Sequence, residues 1–257
     1  MSKTNPLLWL AAGAGAVWAV SRWRTGAQRD ERFGDEHDED DVEVVRDDSK
    51  GLTRKYDAAF EARGRGLPVP YLRALAARES GMREKDPKGL INVVRVVRED
   101  FNERHGTAHR PQHLQDPIVS ITIAADTLRR IIESYAKNHA AVPNLREDWA
   151  NRHFVELLTF GWNAGYSEKA GVGHVADYLE RQGQTDITLA AVAKNAQAAG
   201  ASHWLWAHPR KVAWTRSVAD LYFTERDRDG VKAPVAVDGP VTHPSQVDPG
   251  PQPAGAA

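Results

Sequence analysis

The feature that most constrains this chain is a succession of helix-length segments between residues 51 and 228, each bounded by proline or glycine. Apolar residues recur within these segments at helical spacing, and alternating strand-like runs with hairpin turns are absent from the sequence. Asp116 and Thr188 are typical helix N-caps, and Pro117 and Pro209 suit first helical turns. The sequence therefore predicts an all-α domain. The predicted helices span 53–63, 70–80, 89–104, 116–137, 148–165, 171–182, 188–199 and 209–225.

The first 24 residues are predicted to be a membrane anchor. Residues 4–21 carry no charge, and eighteen helical residues span about 27 Å, close to the ~30 Å hydrocarbon core of a bilayer. A secretory signal peptide cut near residues 14–16 is one alternative, although that cut would fall inside the apolar run. A buried helix of the main domain is another. The arginines at 22 and 24 would leave the domain in the cytoplasm by the positive-inside rule.

Two further segments have compositions unlike the helical domain, which we expect to span 51–230. Residues 25–50 are predicted to be a disordered acidic linker, because 29–50 holds eleven Asp or Glu against four Arg or Lys, a net charge of −7. Residues 231–257 are rich in Pro, Gly and Ala and are predicted to be a disordered tail. Removing −7 from the chain's −1 leaves +6 for the remainder, which favours an acidic polymer as partner.

One predicted helix places a carboxyl group on its apolar face. Pro70 suits the first turn of this helix and Gly81 suits its end. Leu72 and Leu75 lie on the same face as Glu79. Partial burial and the negative end of the helix dipole both raise the pKa of such a carboxyl, which favours the protonated form that a general acid requires. The alternative interpretation is a solvated glutamate at a helix end.

Two other stretches carry polar chemistry. Residues 88–93, Lys-Gly-Leu-Ile-Asn-Val, are predicted to open a helix, and Asn92 there offers both a donor and an acceptor. Residues 158–165, Leu-Thr-Phe-Gly-Trp-Asn-Ala-Gly, place an indole that suits the flat face of a sugar beside an amide that suits hydroxyl or acetamido groups. Taken singly, Trp162 is also consistent with core packing and Asn163 with a helix-end cap.

Three motifs occur in a fixed order within this helical domain: Glu-Ser-Gly at 79–81, Gly-Leu-Ile-Asn at 89–92 and Trp-Asn-Ala-Gly at 162–165. In this the sequence resembles the lytic transglycosylases of the soluble-lytic-transglycosylase (SLT) type, which have a lysozyme-like fold. That family typically shows a Glu-Ser pair ending a helix, then Gly-Leu-Met-Gln, then Ala-Tyr-Asn-Ala-Gly. The resemblance covers roughly residues 52–225.

The chain departs from that family pattern at several positions. Ile91 and Asn92 replace Met-Gln, which shortens the amide side chain by one methylene. Trp162 replaces Tyr, which keeps an aromatic platform and loses the hydroxyl. Many members also carry a tyrosine in a late helix near the catalytic glutamate. Three residues of the predicted helix 209–225 lie near the matching position: Trp214, Val218 and Tyr222.

The resemblance implies cleavage of the β-1,4 bond between N-acetylmuramic acid and N-acetylglucosamine in peptidoglycan. Glu79 would protonate the glycosidic oxygen and then act as base on the muramoyl C6 hydroxyl, which closes a 1,6-anhydro ring. One carboxyl suffices because the substrate's acetamido group stabilises the charge at C1. By analogy, Ser80 supports the Glu79 carboxyl, and Asn92, Trp162 and Asn163 line the sugar subsites. No metal, organic cofactor or nucleic-acid partner is expected.

Two other functions remain open at this stage. One is a non-catalytic wall-binding protein on the same fold. The other is a hydrolytic muramidase, a true lysozyme, which requires a second carboxylate facing Glu79 with room for a water. The acids considered for that role are Glu99, Asp100, Glu103 and Glu156.

Peptidoglycan as substrate predicts a domain in the cell envelope, outside the cytoplasmic membrane and tethered to it by residues 1–24. The arginines that follow the apolar run oppose this orientation. A phage lysis enzyme or a subunit of an envelope-spanning machine fits the same features.

Overall fold

A computed structural model of the chain describes residues 51–83 and 85–230. Within those ranges all of the regular secondary structure is helical, which confirms the predicted all-α class. The α-helices are α1 (Asp57–Arg63), α2 (Val69–Ser80), α3 (Arg95–His105), α4 (Pro117–Asn138), α5 (Arg152–Ala164), α6 (Val172–Glu180), α7 (Leu189–Asn195) and α8 (Pro209–Arg228). Three short 3-10 turns lie at Pro111–Gln115, Pro143–Leu145 and His203–Leu205.

The predicted anchor (1–24), acidic linker (25–50) and tail (231–257) lie outside the described residues. Of the helices that the structure does describe, none combines the length and the apolarity needed to cross a bilayer.

Helix α2 forms the centre of the hydrophobic core. Its side chains at Tyr71, Leu72 and Leu75 have no exposed surface. Helix α8 packs along both α2 and α5, while α4 contacts α1, α3 and α5. The end of α2, where Glu79 lies, is therefore placed next to α5 and α8 by the packing of the core.

The predicted helix boundaries that depend on side-chain caps are confirmed. The Asp116 carboxylate accepts a 2.9 Å hydrogen bond from the Ile118 N–H at the start of α4. The Thr188 hydroxyl accepts one of 3.2 Å from the Ala191 N–H at the start of α7. Gly81 ends α2 in the left-handed conformation, at φ 61°, which glycine adopts without steric cost.

The prediction of a helix over 89–104 is wrong in its first turns, because α3 begins only at Arg95. Gly89 and Asn92 have φ values of 81° and 40°, which no right-handed helix accommodates. Residues 88–93 instead form a compact turn closed by a 2.7 Å hydrogen bond from the Val93 N–H to the Lys88 carbonyl. A side chain at Gly89 would also collide with the Leu114 carbonyl.

A glycine brings α4 and α5 close together. A Cβ atom at Gly161 would collide with the Tyr135 hydroxyl. The Tyr135 hydroxyl lies 3.4 Å from the Leu157 carbonyl oxygen, one turn earlier in α5. This contact sets the position of the last turn of α5, which carries Trp162 and Asn163.

Candidate active site

Three of the sequence motifs converge on the carboxyl group of Glu79. This residue lies in the last turn of α2, and its side chain is partly exposed. Its Oε1 accepts a 2.7 Å hydrogen bond from the indole Nε1–H of Trp162, near the end of α5. The side chain of Asn92, from the 88–93 turn, also hydrogen-bonds the carboxyl. Residues 83 and 13 positions away along the chain are thus brought together with it.

Burial raises the pKa of Glu79 to about 7, because the surrounding protein replaces water that would stabilise the carboxylate. The hydrogen bonds from Trp162 and Asn92 lower this pKa, as do the positive charges of Lys211 and Lys88, but desolvation is the larger effect. The direction agrees with the sequence prediction. A carboxyl with a pKa near neutrality can both donate and accept a proton at physiological pH.

The 88–93 turn is held from two sides, which positions Asn92. The Ile91 N–H donates to the Ser120 hydroxyl of α4 at 3.1 Å, and Leu90 and Ile91 are completely buried. Asparagine is one of the few residues that tolerate the positive φ found at position 92. The Asn92 Oδ1 is buried and has no hydrogen-bond partner within 51–83 and 85–230. It is therefore an acceptor that a ligand in the site can use.

Ser80 does not lie where the resemblance implies. Its side chain is completely buried, and its hydroxyl donates a 2.8 Å hydrogen bond to the Leu90 carbonyl. Successive residues of an α-helix point about 100° apart, so Ser80 turns into the core while Glu79 faces Trp162. The expectation that Ser80 supports the Glu79 carboxyl or binds substrate is wrong. Its observed contact ties the end of α2 to the 88–93 turn.

Asn163 lies beside Trp162 but contacts a different partner. The ammonium group of Lys211, in the first turn of α8, donates to the Asn163 backbone oxygen at 2.9 Å and to its Oδ1 at 2.7 Å. Lys211 and Lys88 both act on the Glu79 carboxyl through their positive charge, and the sequence predicted no role for either of them. A signal existed only for Lys88, which immediately precedes the Gly-Leu-Ile-Asn motif.

The late helix brings a tryptophan, not a tyrosine, to the end of α2. The Tyr222 hydroxyl donates to the Trp149 carbonyl at 2.9 Å inside the core, and Val218 is completely buried. The Trp214 indole, by contrast, donates to the Arg78 carbonyl at 3.4 Å. Of the three residues considered from the sequence, Trp214 is therefore the one next to the turn that carries Glu79.

Three of the four acids considered as a second catalytic group have arginine partners, and Glu99 pairs with Arg95 at 3.6 Å. Asp100 pairs with Arg104 at 3.0 Å and with Arg130 at 2.5 Å. Glu156 is buried and pairs with Arg152 at 3.0 Å. These ion pairs lie within α3 and α5 and between α3 and α4. Glu79 is the carboxyl that the motif residues surround.

A cavity of about 710 Å³ lies at the opposite end of α2. Among its lining residues, Arg73 pairs with Asp57 at 2.7 Å and with Asp229 at 3.2 Å. Because these charges already neutralise one another, we place the candidate active site at Glu79.

No protein-family model, curated protein or solved structure matches this chain.

Proposed function

We propose that this protein is a peptidoglycan lytic transglycosylase with a lysozyme-like fold, which cleaves the MurNAc-β-1,4-GlcNAc bond and leaves 1,6-anhydroMurNAc ends. The observation that carries the proposal is the Glu79 carboxyl, whose pKa burial raises to about 7 and which the Trp162 indole hydrogen-bonds at 2.7 Å. A group that is half protonated near neutral pH suits both proton transfers of this reaction.

In the proposed first step, the neutral Glu79 carboxyl gives its proton to the glycosidic oxygen. The bond from C1 to that oxygen breaks, and the GlcNAc residue leaves with a free 4-hydroxyl. The acetamido group of MurNAc stabilises the positive charge that develops at C1. In the second step, the Glu79 carboxylate takes the proton of the C6 hydroxyl as that oxygen bonds to C1. The carboxyl is thereby protonated again, and no water, metal or organic cofactor enters the balance.

The neighbouring side chains have complementary roles in this proposal. The Trp162 N–H stabilises the carboxylate that exists between the two steps, since hydrogen bonds to an ionised group are stronger than those to a neutral one. The unpartnered Oδ1 of Asn92 accepts a hydrogen bond from a sugar N–H or O–H group. Asn163 lines the adjoining subsite.

We further propose that the domain works in the cell envelope, on peptidoglycan glycan strands, and that residues 1–24 tether it to the cytoplasmic membrane, alone or within an envelope-spanning machine. The support is the uncharged run at residues 4–21 followed by the acidic segment 29–50. Membrane fractionation of the full chain and of a chain lacking residues 1–24 tests this. Recovery of both in the same soluble fraction would contradict the tether.

Digestion of purified peptidoglycan sacculi, followed by mass spectrometry of the released muropeptides, tests the activity. We expect 1,6-anhydro ends from the full chain and none from a Glu79→Gln variant. Reducing MurNAc ends would instead indicate a hydrolytic muramidase. Binding to sacculi with no release would indicate a wall-binding protein. A Glu99→Gln variant is the matched control, because Glu99 is an exposed acid that pairs with Arg95 at 3.6 Å.

A further inference from the structure

Lys211 is bound to the end of the helix that carries Trp162. Its ammonium group donates both to the backbone oxygen and to the Oδ1 of Asn163, at 2.9 and 2.7 Å. Asn163 lies in the last turn of α5, where backbone carbonyls have no partner inside the helix and the helix dipole is negative. A cation at this place therefore stabilises the turn by hydrogen bonding and by charge.

An aromatic group holds the same ammonium from another direction. Lys211 Nζ lies 5.3 Å from the centre of the Trp204 ring, within the range of a cation–π interaction. The Trp204 ring is itself stacked on His208, with 4.8 Å between the ring centres and an interplanar angle of 17°. Lys211 thus connects the 203–208 segment and the start of α8 to the end of α5.

Two consequences for the site follow from these contacts. First, Lys211 fixes the turn that carries Trp162 by binding the next residue, Asn163, so the indole stays against Glu79. Second, the Asn163 Oδ1 is already occupied by Lys211, which leaves its amide N–H groups as the part that can bind another molecule. Asn163 is therefore oriented as a donor, whereas Asn92 offers an unpartnered acceptor.

We propose that Lys211 is a positioning residue: it fixes the last turn of α5 so that the Trp162 indole remains on the Glu79 carboxyl and Asn163 presents its N–H groups to the substrate. The effect on catalysis rests on the function proposed above, whereas the effect on the Trp162–Glu79 contact does not. The charge of Lys211 acts on the same carboxyl, since it lowers the pKa of Glu79.

The contact is tested without any substrate, by NMR of the 15N-labelled full chain. The indole Nε1–H resonance of Trp162 is assigned by its loss in a Trp162→Phe variant. We expect this resonance to shift with pH as Glu79 ionises. In Lys211→Met we expect it to move towards the position of a free indole and to lose most of its pH-dependent shift. Lys211→Arg, which keeps a cationic donor, and Lys194→Met, which removes an exposed lysine of α7, should leave it unchanged.

Cleavage of sacculi gives the second readout. We expect Lys211→Met to reduce the rate on the order of tenfold to hundredfold, as misplaced catalytic groups do. Its pH–rate profile should lose activity at a higher pH than the wild type, because removal of a nearby positive charge raises the pKa of the general acid. Lys211→Arg should restore both rate and profile.

A Lys211→Met variant that matches the wild type in the indole titration and in the pH–rate profile would overturn the proposal. If Met at this position prevents folding, Lys211→Gln replaces it: a neutral amide that can still donate should keep the indole resonance in place but shift the pH profile. If the wild type releases no muropeptides, the proposed function fails, and the indole titration still decides the role of Lys211.

Discussion

Helix α2 carries one ionisable group near each end, and the two groups have opposite surroundings. Arg73 is completely buried, and its guanidinium pairs with Asp57 at 2.7 Å, with Glu225 at 3.0 Å and with Asp229 at 3.2 Å. Glu79, six residues later, is hydrogen-bonded by the neutral indole of Trp162 and by the amide of Asn92. Arg73 is surrounded by opposite charge at hydrogen-bond distance, whereas the groups that hydrogen-bond Glu79 are neutral.

The comparison indicates that the Arg73 end of α2 stabilises the fold, whereas the Glu79 end is suited to proton transfer. The carboxylates around Arg73 hold α1, α2 and α8 together, and the contacts with Arg54 and Arg73 outweigh desolvation and lower the pKa of Asp229. Around Glu79 the neutral donors only partly offset desolvation, so its pKa rises to about 7. A matched charge stays ionised and fixes the fold, whereas a carboxyl solvated mainly by neutral donors is able to exchange its proton near neutral pH.

The largest expected effect is on catalysis at the Glu79 end. Glu79→Gln should reduce the release of muropeptides from sacculi by about 10³-fold or more, because the amide can neither donate nor accept the required proton. The variant should keep the far-UV circular dichroism of the wild type. Release at more than a tenth of the wild-type rate would show that Glu79 is not the acid.

The second expected effect is on stability at the Arg73 end. Arg73→Met should lower the free energy of unfolding by about 3–5 kcal/mol, because it removes the buried cation that Asp57, Glu225 and Asp229 share. Denaturant titration measures this. The control is Arg181→Met, which removes an exposed partner of Asp177 in the last turn of α6 and should cost less than about 1 kcal/mol. Equal losses in the two variants would mean that the Arg73 cluster is not structural.

A third prediction uses the pH dependence of stability to compare the two ends. The pKa of Glu79 is about 7 in the folded protein against an ordinary value of 4.5, so the proton on Glu79 stabilises the fold at low pH. This contribution is complete below the unfolded pKa and is lost as pH rises through 7. As the pH rises from 4.5 to 8, the free energy of unfolding of Glu79→Gln relative to that of the wild type should therefore gain up to about 3 kcal/mol. Denaturant titrations at the two pH values should show no such gain for Glu99→Gln.

The smallest expected effect concerns a single hydrogen bond. Trp162→Phe keeps the aromatic ring and removes the N–H that lies 2.7 Å from the Glu79 Oε1. Because this donor lowers the pKa of Glu79, its loss should move the alkaline limb of the pH–rate profile to higher pH and reduce the rate about tenfold. Trp206→Phe, at an exposed tryptophan of the 203–206 region, should change neither.

The sequence allowed the prediction of features that depend on neighbouring residues. The all-α class, the caps at Asp116 and Thr188 and the stop at Gly81 follow from local backbone and side-chain preferences. The apolar face that carries Glu79 follows from helical spacing. These elements are the ones that the structure confirms.

What could not be predicted depends on contacts between distant segments. The start of α3 is delayed because the 88–93 turn is held by Ser120 of α4, 29 residues after Ile91. The partner of the Ser80 hydroxyl is the Leu90 carbonyl, which lies ten residues later in the 88–93 turn. The lysine at 211 reaches Asn163 only once α8 has packed along α5. None of these partners can be identified from spacing along the chain.

The most direct test of the central claim is an NMR titration of the Glu79 side-chain carboxyl carbon in the 13C-labelled full chain, with the resonance assigned by its loss in Glu79→Gln. We predict a midpoint near pH 7, well above the ordinary glutamate value of 4.5. A midpoint near 4.5 would show an ordinary solvated carboxylate and would contradict the account of this site.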